Sequence, residues 1–328
     1  MSDNVTLQAI YEARRTIAPW VHRTPLIRSG ALSRQVDAEV FLKLETLHAT
    51  GAFKIRGATN AIMQLDEQGR GRGVVTVSTG NHGRAVAHAA QQLGVRAVVC
   101  MSRLVPENKV RAIRELGAEI RIEGRSQDEA QLEADRLIAE EGLVLIPPFD
   151  HPHVVAGQGV IGLEILEDAP GIDCVLVPLS GGGLIAGIAI ALKTASPRSR
   201  VVGISMEQGP AMYHSIKAGK PVAVEEHESL ADSLGGGIGL LNRYTFPVVR
   251  DLVDDIVLLN EEQIMSGMSF LYRHEQLVVE GAAAVGVAAL LHQRVAKLGR
   301  NIAVIVSGRN VDMDMFTQIV NGQFQPAK

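Results

Sequence analysis

The stretch "GVVTVSTGNHGRAVAHAAQQLG", residues 73–94, joins a near-continuous apolar run to a small polar turn and an alanine-rich segment closed by Gly94. An edge or half-exposed strand would alternate apolar with polar residues, so "GVVTVS" reads as a strand buried on both faces. "NHGRAVAHAAQQLG" then reads as the helix that covers it. The unit repeats along the next sixty residues. "VRAVVCM" leads into "PENKVRAIRELG", with Pro106 near the helix start and Gly117 at its end. "AEIRI" leads into "SQDEAQLEADRLIAEEG", opened by a Ser126/Glu129 capping box, and "LVLI" closes the set. Buried strands separated by helices describe a parallel α/β unit spanning residues 73–150.

Outside that unit the same alternation resumes at "IDCVLVPL", "RVVGIS", "DIVLLN" and "NIAVIV", and "VFLKLE" at residues 40–45 joins these as a further strand. The expected architecture is α/β with two doubly wound, mostly parallel sheets. Residues 1–72 and 151–328 form a large domain, and 73–150 a small inserted one. In open sheets of this kind, ligands sit at the carboxyl ends of the strands. The glycine-rich segments of this chain all fall at such ends.

Composition narrows the function classes. The 328 residues are 46% apolar and 21% charged, as in a soluble globular enzyme. A net charge of −4 and few aromatic residues give no basis for nucleic-acid binding. Cys100 and Cys174 lie in apolar runs and read as core thiols rather than as a disulfide or metal ligands, and no metal site is expected. The N-terminal segment is polar, and no apolar run reaches the ~18 residues of a spanning helix. A cytoplasmic protein without membrane contact is expected.

Four segments at strand ends carry chemistry. In "TGAFKIRGA", residues 50–58, Lys54 is pressed between Phe53 and Ile55. Lost hydration favours its neutral, nucleophilic form, although such a lysine is also an ordinary stem lying on apolar surface. "STGNHG", Ser78–Gly83, offers backbone N–H groups and hydroxyls suited to a carboxylate, or is a plain N-cap. "SGGGLIAG", Ser180–Gly187, lets backbone amides crowd a phosphate; it has neither the Gly-Lys-Ser/Thr of a P-loop nor G-x-G-x-x-G. "SGRNVD", Ser307–Asp312, puts a neutral hydroxyl at a buried strand end. Together a lysine, a phosphate cup, a carboxylate cradle and a hydroxyl describe a pyridoxal 5'-phosphate site.

At this point the chain resembles the fold-type II (tryptophan synthase β-like) pyridoxal-phosphate enzymes, in the serine/threonine dehydratase and serine racemase family. "HRTPL", "FLKLETL", "GAFKIRGA", "STGNHG", "LVPENKVRAIRELGAE", "PPFDHPHVVAGQG", "SGGGL", "SLADSLGGG" and "SGRNVD" follow that family's order along nearly the whole chain. The resemblance implies a cofactor in the cleft between domains. Lys54 would hold it as an imine and move the α-proton. Phe53 would lie against the ring, and Asn81 would bond the ring hydroxyl. Gly181, Gly182, Gly183 and Leu184 would cup the phosphate, and Ser307 would face the ring nitrogen. Ser78, Thr79, Gly80 and His82 would surround the substrate, with Thr79 a second acid/base where racemases place a serine.

The implied reaction is deamination of a 3-hydroxy amino acid to a 2-oxo acid and ammonia, and the implied assembly is a homodimer. Alternatives are racemisation, β-replacement, a non-catalytic binder of cofactor or amino acid, or a nucleotide-binding α/β protein. "SMEQGPAM", "SLADSLGGGIG" and "SGRN" resemble the branch associated with hydroxyectoine utilisation. There are departures from the family. Ala52 stands where serine is usual. Ser205 and Ala211 stand where metal-dependent relatives have acids. Arg309 replaces a small residue; it is expected either to pair with Asp312, Asp314 or Glu280 or to meet a longer substrate.

Overall fold

Strand propensity and burial coincide along the chain, and the strands fall into two sheets. The computed structural model describes residues 5–325 except Thr79 and Pro106, with side chains at all but residues 108, 109, 127 and 128. In chain order the strands are β1 (Leu26–Arg28), β2 (Glu39–Leu44), β3 (Val74–Val77), β4 (Ala97–Met101) and β5 (Glu119–Ile122). They continue as β6 (Val144–Leu145), β7 (Cys174–Pro178), β8 (Arg200–Met206), β9 (Asp255–Leu259) and β10 (Asn301–Val306). The larger sheet has the order β1-β2-β10-β7-β8-β9 and the smaller β5-β4-β3-β6.

Every pairing is parallel except β1 with β2. Each run read as a strand forms one. The apolar runs of β3, β4 and β7 are buried at every position, as strands covered on both faces require. The short antiparallel edge strand β1 had no reading in the sequence; its residues are half-buried or exposed and carry no alternation long enough to register.

Helix ends mostly follow local chemistry. Gly94 closes Asn81–Leu93 in the left-handed region. The expected capping box at Ser126 forms only in half. The Ser126 hydroxyl accepts the Glu129 N–H at 3.1 Å, but the Glu129 carboxylate takes the Arg125 amide instead of Ser126's own. Pro106 lies outside the described residues. Cys100 and Cys174 are free and buried, and burial pushes both thiols up to about 12. Among the described residues, no helix is long and apolar enough to cross a membrane.

One core is shared by the smaller sheet and helices from outside its own segment. Ile10 from helix Leu7–Ile17, Ile55 and Ile62 from Lys54–Met63, and Val154 from Pro152–Asp168 pack with Val86 of Asn81–Leu93 and Val99 of β4. The carboxyl ends of β3, β7 and β10 meet at the walls of a single cleft.

Candidate active site

The cleft has a volume of about 880 Å³. Its lining contains Phe53, Lys54, Ser78, Gly80, Asn81, His82, Gly181, Gly182, Gly183, Leu184 and Ser307. Thr79 lies outside the described residues. Arg309 stands apart: its side chain is exposed and absent from the cleft wall, and it forms no ion pair among the described residues. The cause is local. The Arg309 N–H donates to the Gly51 carbonyl at 2.9 Å, tying its backbone to the loop before Lys54. Asp312 meanwhile caps helix Met313–Val320 instead of pairing with the guanidinium.

Lys54 is the first residue of its helix. The segment before it is stitched to the end of β10: Phe53 N–H donates to the Ser307 carbonyl at 3.0 Å, and Ala52 bridges Gly308. Backbone bonds thus hold the lysine and the serine next to each other. The Lys54 ammonium donates to the Pro148 carbonyl at 2.7 Å and lies 5.3 Å from the centre of the Phe53 ring. Burial lowers its pKa to about 8, partly offset by attraction to Glu280. Near neutral pH a useful share of the amine is therefore neutral.

Behind the lysine sits a closed ionic cluster. Arg56 pairs with Glu45 (2.7 Å) and Glu164 (2.7 Å), and Lys43 pairs with Glu164 at 2.6 Å. Thr24 donates to Glu45 at 2.6 Å, and the Thr24 carbonyl accepts from Lys43 at 2.7 Å. Two cations balance two anions, and every member is buried.

Asn81 is held firmly. Its amide donates to both Glu280 oxygens (2.9 and 3.0 Å), and its carbonyl accepts from Asn310 at 2.6 Å. Glu280 is 3% exposed, and burial raises its carboxyl to about 7 against the pull of Asn81, Arg84 and Lys54. Sequence reasoning had no functional place for Glu280. An acid before the apolar run "GAAAVGVAALL" looks like a helix start, and nothing local ties it to Asn81. His82 is buried and neutral, its pKa lowered to about 3 by burial and by Lys54. A carbonyl can only accept, so the 2.8 Å contact with Ile146 puts the proton on Nε2. Nδ1 is then a bare acceptor, with no partner among the described residues.

The glycine turn is shaped by its surroundings. Gly182 has φ +90°, a conformation glycine adopts without strain, and the Phe149 ring occupies the space a Cβ on Gly181 would need. Helix Gly183–Ala195 begins here without a side-chain cap. Its first amides and its dipole are therefore free to serve an anion. The Ser307 hydroxyl finds no partner among the described residues. An amine of lowered pKa, an uncapped helix start, a clamped amide and a free neutral hydroxyl around one cleft form a donor set that fits pyridoxal 5'-phosphate.

Comparison with known proteins agrees. The family described as pyridoxal-phosphate dependent enzyme matches residues 17–308. A Sinorhizobium fredii relative carrying a threonine dehydratase name is 54% identical over 319 residues, covering 97% of this chain and 96% of its own. The L-threonine ammonia-lyase of Thermotoga maritima is 44% identical over 317 residues, 97% of this chain and 78% of its own. Among solved structures, maize serine racemase superposes with a TM-score of 0.91 at 37% identity, covering 97% of both chains. With its fold, its cleft and its sequence in accord, the chain belongs to the pyridoxal-phosphate dependent enzymes.

Proposed function

We propose that the protein is a deaminating dehydratase, an ammonia-lyase that converts 3-hydroxy amino acids such as threonine or serine to a 2-oxo acid and ammonia. The observation that carries this reading is the meeting of Lys54, Asn81, the 181–184 turn and Ser307 around one cleft. The names of the two relatives above support the reaction class. When bound, the cofactor supplies an electron sink for the substrate's α-carbon.

The chain's own residues do the rest. Lys54 attaches the cofactor and moves the α-proton, for which a pKa of about 8 is well matched near neutrality. Gly181, Gly182, Gly183 and Leu184 hold the phosphate with backbone amides. Asn81, fixed by Glu280 and Asn310, meets the ring hydroxyl, and Phe53 lies against the ring. Ser307 meets the ring nitrogen. A serine hydroxyl cannot hold a proton on that nitrogen as a carboxylate would. Facing Ser307 rather than a carboxylate, the bound group would supply a weaker electron sink, which would suit departure of a β-hydroxyl. Ser78, Thr79, Gly80 and His82 form the substrate's carboxylate cradle. Arg309 has no part in this reading.

A small unit of residues 73–150 within a large one, a homodimer and a cytoplasmic location go with the same proposal. To test it, purified enzyme is mixed with a panel of 3-hydroxy amino acids, a longer hydroxylated diamino acid among them, and 2-oxo acid and ammonia are followed. Release of both from threonine or serine is expected. Inversion at the α-carbon without ammonia would instead make it a racemase, the reading that likeness to maize serine racemase supports.

A further inference from the structure

We propose that Asp150 is a positioning residue that shapes the turn Gly181–Gly183 through Thr245 without touching any ligand. The inference rests on the reading of that turn as the phosphate cup. The Asp150 carboxylate accepts three successive backbone amides, from Arg243 at 2.7 Å, Tyr244 at 2.8 Å and Thr245 at 2.9 Å. These amides open helix Thr245–Leu252, whose own N-cap residue Tyr244 supplies no side-chain acceptor. The carboxylate arrives from 93–95 positions earlier in the chain and serves as the missing cap, favoured also by the helix dipole.

The cap controls where the Thr245 side chain sits. The Thr245 hydroxyl donates to the Gly181 carbonyl at 2.7 Å and accepts from the Asn242 amide at 2.8 Å. Its Cβ stands 3.0 Å from where a Cβ on Gly182 would be, so it also walls that side of the turn. In a planar trans peptide, C=O and N–H point in opposite directions. Fixing the Gly181 carbonyl on Thr245 therefore fixes the Gly182 N–H on the far side.

The residues preceding Asp150 reach the same site from another direction. The Pro148 carbonyl accepts from Lys54, and Phe149 packs on Gly181. One tripeptide thus contacts the lysine, the turn and the helix that pins the turn. A cap that served only helix stability would need none of this register.

The experiment compares the apoprotein's affinity for pyridoxal phosphate with its affinity for pyridoxal, which lacks the phosphate, by spectral titration. Asp150→Ala and Thr245→Val should each weaken pyridoxal phosphate binding about tenfold while leaving pyridoxal binding within about twofold. Thr245→Ser keeps the hydroxyl and should restore affinity. The double variant should lose little beyond either single one, since both act on one element. Asp150→Asn, the gentler change, should fall between wild type and Asp150→Ala. Equal losses for both ligands would reduce Asp150 to a helix cap and overturn the proposal, as would unchanged pyridoxal phosphate binding. Gly182→Val provides the control for the underlying reading. If it removes the phosphate's contribution while Asp150→Ala does not, only the inference about Asp150 fails. If it too leaves that contribution intact, the turn is not the phosphate cup.

Discussion

Lys54, half-buried, and Glu280, fully buried, both line the cleft, and lost hydration moves them in opposite senses: the amine down to about 8, the carboxyl up to about 7. Only the neutral amine can capture an aldehyde. The rate at which the apoprotein takes up pyridoxal phosphate should therefore climb as pH rises through about 8, where an ordinary lysine would climb only near 10.5. Lys54→Ala should abolish covalent capture, read by borohydride reduction, and turnover with it, while circular dichroism stays that of the wild type. A variant that still gave a reducible adduct and normal turnover would remove Lys54 from the centre of the site. Glu280 yields a stability prediction. Its folded pKa lies above the value of 4.5 it has when unfolded, so the folded state holds the extra proton and stability falls as pH rises from 4.5 through about 7. Glu280→Gln cannot ionise and lacks that fall. In urea melts of the apoprotein, the variant should gain on wild type by on the order of 2 kcal/mol between pH 5 and pH 8. A difference that stays flat with pH would mean that Glu280 keeps an ordinary carboxyl.

Among the elements, the strand that ends in Lys43 and Leu44, helix Lys54–Met63 and helix Pro152–Asp168 are joined by charge as well as by apolar packing. Arg56 spans Glu45 and Glu164 from within the helix that Lys54 begins, so the cluster sets the angle of that helix. Burial alone would raise Glu45, yet Arg56 and His48 outweigh it and hold the carboxyl well below the usual range. Arg56→Met would leave two buried carboxylates facing only Lys43 and the His48 ring, and such a break should cost about 3–5 kcal/mol in urea unfolding. A loss under about 1 kcal/mol would show that water or protonation relieves the site instead. This cluster also marks how far the sequence could be read. β3, β4 and β7 were legible because burial on both faces forces continuous apolar runs. Lys54, Asn81, the 181–184 turn and Ser307, singled out through glycine-flanked segments and the family resemblance, all line the one cleft, and the roles given to them stay proposals. Lys43 in "FLKLE", Glu280 and Asp150 were not legible. Each looks like a solvated charge or a cap in its own segment, and its partner lies far along the chain, 121 positions away for Lys43 and Glu164, 199 for Asn81 and Glu280. Arg309 misled for the converse reason. Ser307, two positions before it, lines the cleft, but the Arg309 backbone is tied to Gly51 and its side chain is exposed.

For the molecule as a whole, the proposed cofactor contacts come from both sheets. Ser307 follows β10 and the 181–184 turn follows β7 in the larger sheet, whereas Asn81 opens the helix after β3 in the smaller one. A ligand held by both would restrain each against the other and would stabilise only the folded arrangement. Stripping the cofactor should then lower the melting temperature, and adding it back should restore stability in proportion to the logarithm of its concentration, by about 2.7 kcal/mol at a hundredfold excess over Kd. The distribution of the loss is the sharper test. The centre of the larger sheet, β7, β8 and β10, is buried at nearly every position and has its own cluster of apolar side chains on either face. Its amides should keep nearly the same hydrogen-exchange protection with and without cofactor. Helix Asn81–Leu93 and β3 lean on the shared core and, by the proposal, on the ligand through Asn81. Their protection should drop when the cofactor leaves, by more than that of β8. Uniform loss across both sheets would mean that the molecule opens as one unit. Loss confined to the 181–184 turn would mean that the larger sheet holds the cofactor by itself, and the role given to Asn81 would have to be withdrawn.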